Sequence, residues 1–141
     1  MKFSISRTMF LAAATLVLGS SLYAQELRVQ AQVPFNFVLR DKVYPAGEYV
    51  IQTLTSNPSM VSISNANGKT LALAVSFAGT ALPADGTKLL FHQIGKTYFL
   101  YQLWVDGSMV GRQFPKSHTE TRMALQTPKS ETVVVAANVL H

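Results

Sequence analysis

From Leu27 onward, apolar and polar side chains trade places every second residue, and turn-forming residues recur roughly every eight to twelve positions. A period of two is that of a half-buried β-strand, and this spacing of turns belongs to sandwiches and barrels. In Leu27–Val33 the apolar Leu27, Val29, Ala31 and Val33 alternate with Arg28, Gln30 and Gln32. Pro34 lacks an N–H and interrupts any ladder, yet the alternation resumes with Phe35, Phe37 and Leu39, so the strand is expected to bend or change partner there. Arg40-Asp41-Lys42 forms a polar tip, and Pro45-Ala46-Gly47 a tight turn into a strand with Tyr49, Ile51 and Thr53 on one face.

Asn65-Ala66-Asn67-Gly68 predicts a hairpin between Met60–Ser64 and Lys69–Phe77, because an Asn-Gly pair readily takes left-handed conformations. Its second strand is expected to send Leu71, Leu73, Val75 and Phe77 inward and Thr70, Ala72, Ala74 and Ser76 to the opposite side. Gly79–Thr87 reads as a surface loop. Lys88–Ile94, Thr97–Val105 and Met109–Phe114, joined by Gly95-Lys96 and Asp106-Gly107-Ser108, predict a three-strand antiparallel meander, since such short links cannot make a parallel crossover. Thr119–Gln126 is expected to hold at most a turn or two of helix, and the Val-rich Thr132–Val139 to close the sheet as its last strand. The expected fold is all-β: a single antiparallel β-sandwich or partly closed barrel of about eight to ten strands.

The first residues follow another pattern. Lys2 and Arg7 precede the uncharged run Thr8–Leu18, then Gly19, Ser20, Ser21 and Ala24. A charged region, a short apolar region and a small residue at a cleavage point make a secretory signal peptide, and the run is about half the length needed to span a bilayer as a helix. Residues 1–24 are therefore expected to be removed, leaving 117 of the 141 residues as one domain, 25–141, in the periplasm or the medium.

Of 12 Lys and Arg, two leave with the leader, so ten face seven acids at a net charge near +3. The excess is scattered, and nucleic acid is not an expected partner. Cysteine is absent, which excludes disulfides, thiol nucleophiles and thiolate metal sites, so an ordinary apolar core must hold the fold. A transmembrane β-barrel needs strands of about 9–11 residues, longer than several of those expected here.

Catalytic chemistry leaves little trace. His92, His118 and His141 lie far apart in the chain; His118 and Glu120 could offer two metal ligands from an extended segment, short of the three or four a site needs. The mature chain's acids, Glu26, Asp41, Glu48, Asp85, Asp106, Glu120 and Glu131, show no spacing that argues for a hydrolytic pair. Asp106-Gly107-Ser108-Met109-Val110-Gly111 fails the spacing of a nucleophile elbow, and Asn67-Gly68-Lys69-Thr70 lacks the upstream glycine of a phosphate loop. No cofactor is expected.

The aromatic stretch Tyr98–Trp104 is the most distinctive. Strict alternation places Tyr98, Leu100, Gln102 and Trp104 on one face and Phe99, Tyr101, Leu103 and Val105 on the other. A strand buried on both sides explains it; so does an aromatic groove in which Tyr98, Gln102 and Trp104 take a small apolar ligand or a sugar.

Val33-Pro34-Phe35-Asn36-Phe37 and Pro45-Ala46-Gly47-Glu48-Tyr49-Val50-Ile51, followed by Tyr98-Phe99-Leu100 and Trp104-Val105-Asp106-Gly107, resemble a V-P-F-x-F … P-A-G-x-Y-x-I pattern. That pattern belongs to small exported bacterial β-proteins with no known activity. The resemblance implies export and a common architecture, and brings no functional residues with it. Taken with the absence of a catalytic constellation, the expectation is a non-enzymatic, exported module that binds a partner or contributes to an envelope assembly, with Leu27–Val33 and Thr132–Val139 as the candidate edges for strand addition. A carrier of a small apolar ligand or sugar is the alternative.

Overall fold

The computed structural model describes residues 27–80, 84–127 and 129–140. The expected signal peptide lies outside the described residues. Eleven strands and one helix are found among those described: β1 (Arg28–Val33), β2 (Phe37–Leu39), β3 (Lys42–Tyr44), β4 (Gly47–Thr53), β5 (Met60–Asn65), β6 (Thr70–Val75), β7 (Phe77–Thr80), β8 (Lys88–Ile94), β9 (Thr97–Trp104), β10 (Val110–Gln113), the helix α1 (His118–Gln126) and β11 (Ser130–Val139). The main path of the sheet runs β3-β2-β9-β8-β11-β1-β4-β5-β6, with β10 bonded to β9 and β7. The sheet curls without closing, as a half-barrel.

Burial along β1 follows the alternation, with Val29, Ala31 and Val33 inside. At Pro34 the chain changes partners: β1 lies between β11 and β4, while β2 pairs with β3 and runs parallel to β9. That parallel pair departs from the expected wholly antiparallel sheet. It arises because the chain crosses from one part of the curl to another rather than folding back in a hairpin. The β5–β6 hairpin forms as expected, with Gly68 at φ +81° and the Asn65 carboxamide oxygen accepting from the backbone of Asn67 and Lys69. The β8–β9–β10 meander forms too.

Inside the curl, Val29, Val33, Ile51, Val61, Ile63, Leu89, Phe91, Leu103 and Phe114 are almost fully buried. An aromatic group fills one end: Phe35 stacks on Tyr98 at 3.8 Å between ring centroids, and Phe37 meets Tyr44, Tyr49 and Phe91. Burial pushes the phenols of Tyr44 and Tyr49 upward, and the Tyr49 hydroxyl donates to the Pro45 carbonyl. A smaller cluster of Val38, Ile94 and Phe99 lies on the outer face, where Met123 of α1 covers it.

Four expectations are corrected. Eleven strands replace eight to ten, because Lys42–Tyr44 forms a short strand of its own and the bend at Ser76 divides a run that read as continuous, placing Gly79 and Thr80, expected in a surface loop, in β7. Neither terminal strand is an edge: β11 sits between β8 and β1, and β1 between β11 and β4. The faces of β6 are exchanged; Ala74 and Ser76 are 1% exposed, whereas Leu73, Val75 and Phe77 are 49%, 38% and 58% exposed. The fourth concerns β9, whose ladder with β8 skips a residue: Phe91 pairs with Leu100 and Leu90 with Gln102. Both of the last two changes have one cause, an extra residue in the ladder. On β6 it is Leu71, since Ile63 pairs with Ala72 and Ser64 with Thr70; on β9 it is Tyr101. One unpaired residue shifts every later side chain to the other face.

Candidate functional site

The bulge at Tyr101 separates the three residues expected to share a groove. Tyr98 packs with Leu100 toward the core and stacks on Phe35. Beyond the bulge Gln102 and Trp104 take the opposite face, because Leu103 opposite Leu89 is the inward residue there. The Trp104 indole is 7% exposed and donates its N–H to the Gln102 carboxamide oxygen at 2.9 Å. It lies across Gly111 of β10 and Gly79 of β7, which pair with each other and leave a trough free of side chains. Its polar tip and its apolar face both have partners within the protein.

The histidines and acids are arranged differently from the sequence expectation. His118 and Glu120 lie on α1 rather than on an extended segment. Two residues apart on a helix, they point to different sides: His118 is exposed and Glu120 is 4% exposed. Glu120 meets His92 of β8 instead, with Oε1 2.8 Å from Nδ1, while Tyr101 stacks on the imidazole at 3.7 Å between centroids. This contact between residues 28 apart was not readable in the sequence; only the helix start Ser117-x-x-Glu120 hints at it, since the Ser117 hydroxyl oxygen accepts the Glu120 N–H. His92 thus pairs with an acid distant in the chain, and the pair ties α1 to the sheet. Among the described residues no three His, Asp or Glu side chains are placed to hold a metal ion.

Three further acids are engaged in the fold. Asp41 accepts from the backbone N–H and the hydroxyl of Thr119 at 3.0 and 2.8 Å, and these hydrogen bonds hold its carboxyl below the ordinary range. Asp106 accepts from the Gly86 N–H, and Glu48 from the Gln30 side chain. A polar cleft of about 350 Å³ beside α1 is lined by Arg40, Asp41, Pro115, Lys116, Ser117 and His118.

The opening of the half-barrel is the remaining feature. β6 ends the main path and pairs only with β5. Ser76 directs its N–H to the Ser59 carbonyl. By alternation Ala74 then points to β5, and Leu73 and Val75 turn their N–H and C=O groups to the open side. The tip of the β2–β3 hairpin reaches that side, where Arg40 Nη1 donates to the Leu73 carbonyl at 3.4 Å. Arg40 and Asp41 both hold positive φ, +51° and +64°, as a two-residue hairpin turn of this hand requires. At the far end of β6, Arg112 of β10 donates through Nε to the Ser76 hydroxyl and through Nη2 to its carbonyl, both at 2.9 Å. The segment 70–80 therefore belongs to both ends of the curl, bonded to β5 through its first half and to β10 through its second.

Backbone at Leu73 and Val75 that faces no described strand, with Leu73, Val75 and Phe77 exposed along the outer surface, can accept an extended chain. The strand itself gave a sequence signal, since Thr70–Val75 contains no charge and no proline. What misled was the face assignment. Comparison with family models, with curated proteins and with solved structures finds no match for this chain.

Proposed function

We propose that this chain is an exported, non-enzymatic β-domain that works by binding a partner protein through strand addition at the open edge of β6. The observation that carries the reading is the combination at Leu73 and Val75. Backbone groups there face no strand among the described residues, and the side chains form an exposed apolar row with Phe77. Edge strands are usually guarded by charge, proline or a bulge; Thr70–Val75 has no charged residue or proline of its own, its bulge at Leu71 precedes Leu73 and Val75, and the charge at the edge comes from Arg40. Main-chain hydrogen bonds would supply affinity and the alternate apolar side chains the register. The aromatic-groove alternative gains no support from a Trp104 that is buried and hydrogen-bonded within its own sheet.

Export rests on the leader pattern of residues 1–24. Protein recovered from outside the cytoplasm should begin at or near Gln25 by N-terminal sequencing; full-length protein retained in the cytoplasm would defeat that part of the reading. For the edge, Val75→Lys should leave the unfolding free energy within about 0.5 kcal/mol of the parent, as expected for a surface position, while abolishing partner capture. A variant that binds as the parent does places the partner surface elsewhere.

A further inference from the structure

We infer that the β6 edge selects an acidic extended segment of its partner, and that Arg40 is the residue that reads the acid. The inference rests on the reading of β6 as the docking edge and names the chemistry of what docks there. Arg40 stands at the open side of β6, with one guanidinium nitrogen on the Leu73 carbonyl at a long 3.4 Å. Among the described residues its guanidinium has no carboxylate partner, the ion pair found being His92–Glu120. The adjoining acid, Asp41, is held by Thr119 at the start of α1 and is not available to neutralise it. Lys42, next in the same hairpin, lies 5.6 Å from the centre of the Tyr44 ring, and Lys69 precedes β6; both are exposed. The edge is therefore uncharged along its length and bordered by cations, the complement of a strand that alternates apolar residues and carries a carboxylate.

Arg40 acts in two states. In the free protein its N–H occupies the Leu73 carbonyl and guards the edge against indiscriminate pairing, as charged residues at sheet edges do. An incoming strand must take that carbonyl for its own N–H. Arg40 is released, and its planar fork of donors then meets a carboxylate on the arriving chain. A strand with a cation at the same place displaces Arg40 and meets like charge instead. Selection therefore combines an attractive contact with a repulsive one.

The test uses two short synthetic peptides of alternating valine and threonine that differ in one central residue, glutamate or lysine. They are titrated into the mature protein while amide exchange at Leu73 and Val75 is followed by NMR. The glutamate peptide should protect both amides at a concentration about fivefold lower than the lysine peptide, the size of one modest ion pair. Arg40→Glu should reverse the order. Arg40→Gly, a residue that takes φ +51° without strain, should remove the preference and leave the fold intact. Equal protection by both peptides in the parent overturns the selection by Arg40 while leaving β6 as the docking edge. No protection by either overturns the edge reading as well, and so does protection that grows with protein concentration alone, which identifies the occupant as a second copy of the chain.

Discussion

At Gly111 the backbone of β10 passes so close to β9 that an added Cβ would lie 2.7 Å from the Leu103 carbonyl oxygen and from two carbons of the Trp104 indole. Its cross-strand neighbour Gly79 leaves 3.9 Å to the nearest atoms. Gly111→Ala should therefore cost about 1–3 kcal/mol by overpacking and shift the fluorescence of the single tryptophan, whereas Gly79→Ala should stay within about 0.5 kcal/mol. Urea unfolding of the two variants decides between this trough and a loosely held indole. Asp41 makes a second prediction at this scale. Its carboxyl is lowered below 3.8 by the backbone and then the side-chain hydrogen bond of Thr119, so the folded state holds the ionised form more strongly than the unfolded chain does. Its contribution is fully present above the unfolded value and is lost as pH falls through the lower folded one. Asp41→Asn should reduce the acid-side loss of stability measured by urea midpoints, and an unchanged profile would remove Asp41 from the account.

Among the elements, β6 and β9 show what alternation can and cannot reveal. Most of the strands, the Asn67-Gly68 hairpin and the β8–β9–β10 meander were legible because they follow from local period and turn chemistry, whereas the short β3 and β7 were not. The faces beyond Leu71 and Tyr101 were not, because a bulge is a matter of pairing with another strand: the ladder slips between Ile63 and Ser64 and between Leu90 and Phe91, and none of these residues marks it in the sequence. Small Ala72, Ala74 and Ser76 gave no apolar signal strong enough to compete with Leu73, Val75 and Phe77, although it is Ala74 and Ser76 that the core takes in. The candidate edge was missed for the same reason, and His92–Glu120 because it joins a strand to a helix that read as a turn or two at most. Ser76 ties the bend between β6 and β7: its hydroxyl donates to the Ser59 carbonyl and accepts from Arg112. Ser76→Ala nearly keeps the volume but removes the acceptor of Arg112 Nε and the donor to the Ser59 carbonyl, leaving only the Nη2 bond to the Ser76 carbonyl, so it should cost about 1–3 kcal/mol and raise amide exchange in β7 more than in β4. Uniform loss of protection would mean that Ser76 serves the core at large rather than this corner.

For the whole molecule, the position of β11 matters most. A last strand in the Val-rich 132–139 was legible, but its place was not. Pairing across the entire chain, Val29 with Val139 and Ala31 with Ala137, leaves no local trace. β11 is bonded along seven residues to β8 and, on its other side, to β1, and so joins the β8–β9 half of the sheet to the β1–β4 half along the main path. The curl is thus not a meander that happens to end in a strand. It consists of two strand groups, β3-β2-β9-β8 and β1-β4-β5-β6, each drawing on separate stretches of the chain and joined in one sheet by β11. Topologies with such long-range closure fold slowly, since the loop must be closed before the contact rewards it. A chain ended before Ser130 loses the strand between β8 and β1 and exposes both, so it should show no cooperative unfolding transition by circular dichroism. Adding a synthetic Ser130–Val139 peptide should restore the transition, with a midpoint that rises with peptide concentration as mass action requires. A truncated chain that unfolds cooperatively without the peptide would show that the two groups of strands pack against each other directly, and that β11 adds to a sheet already made.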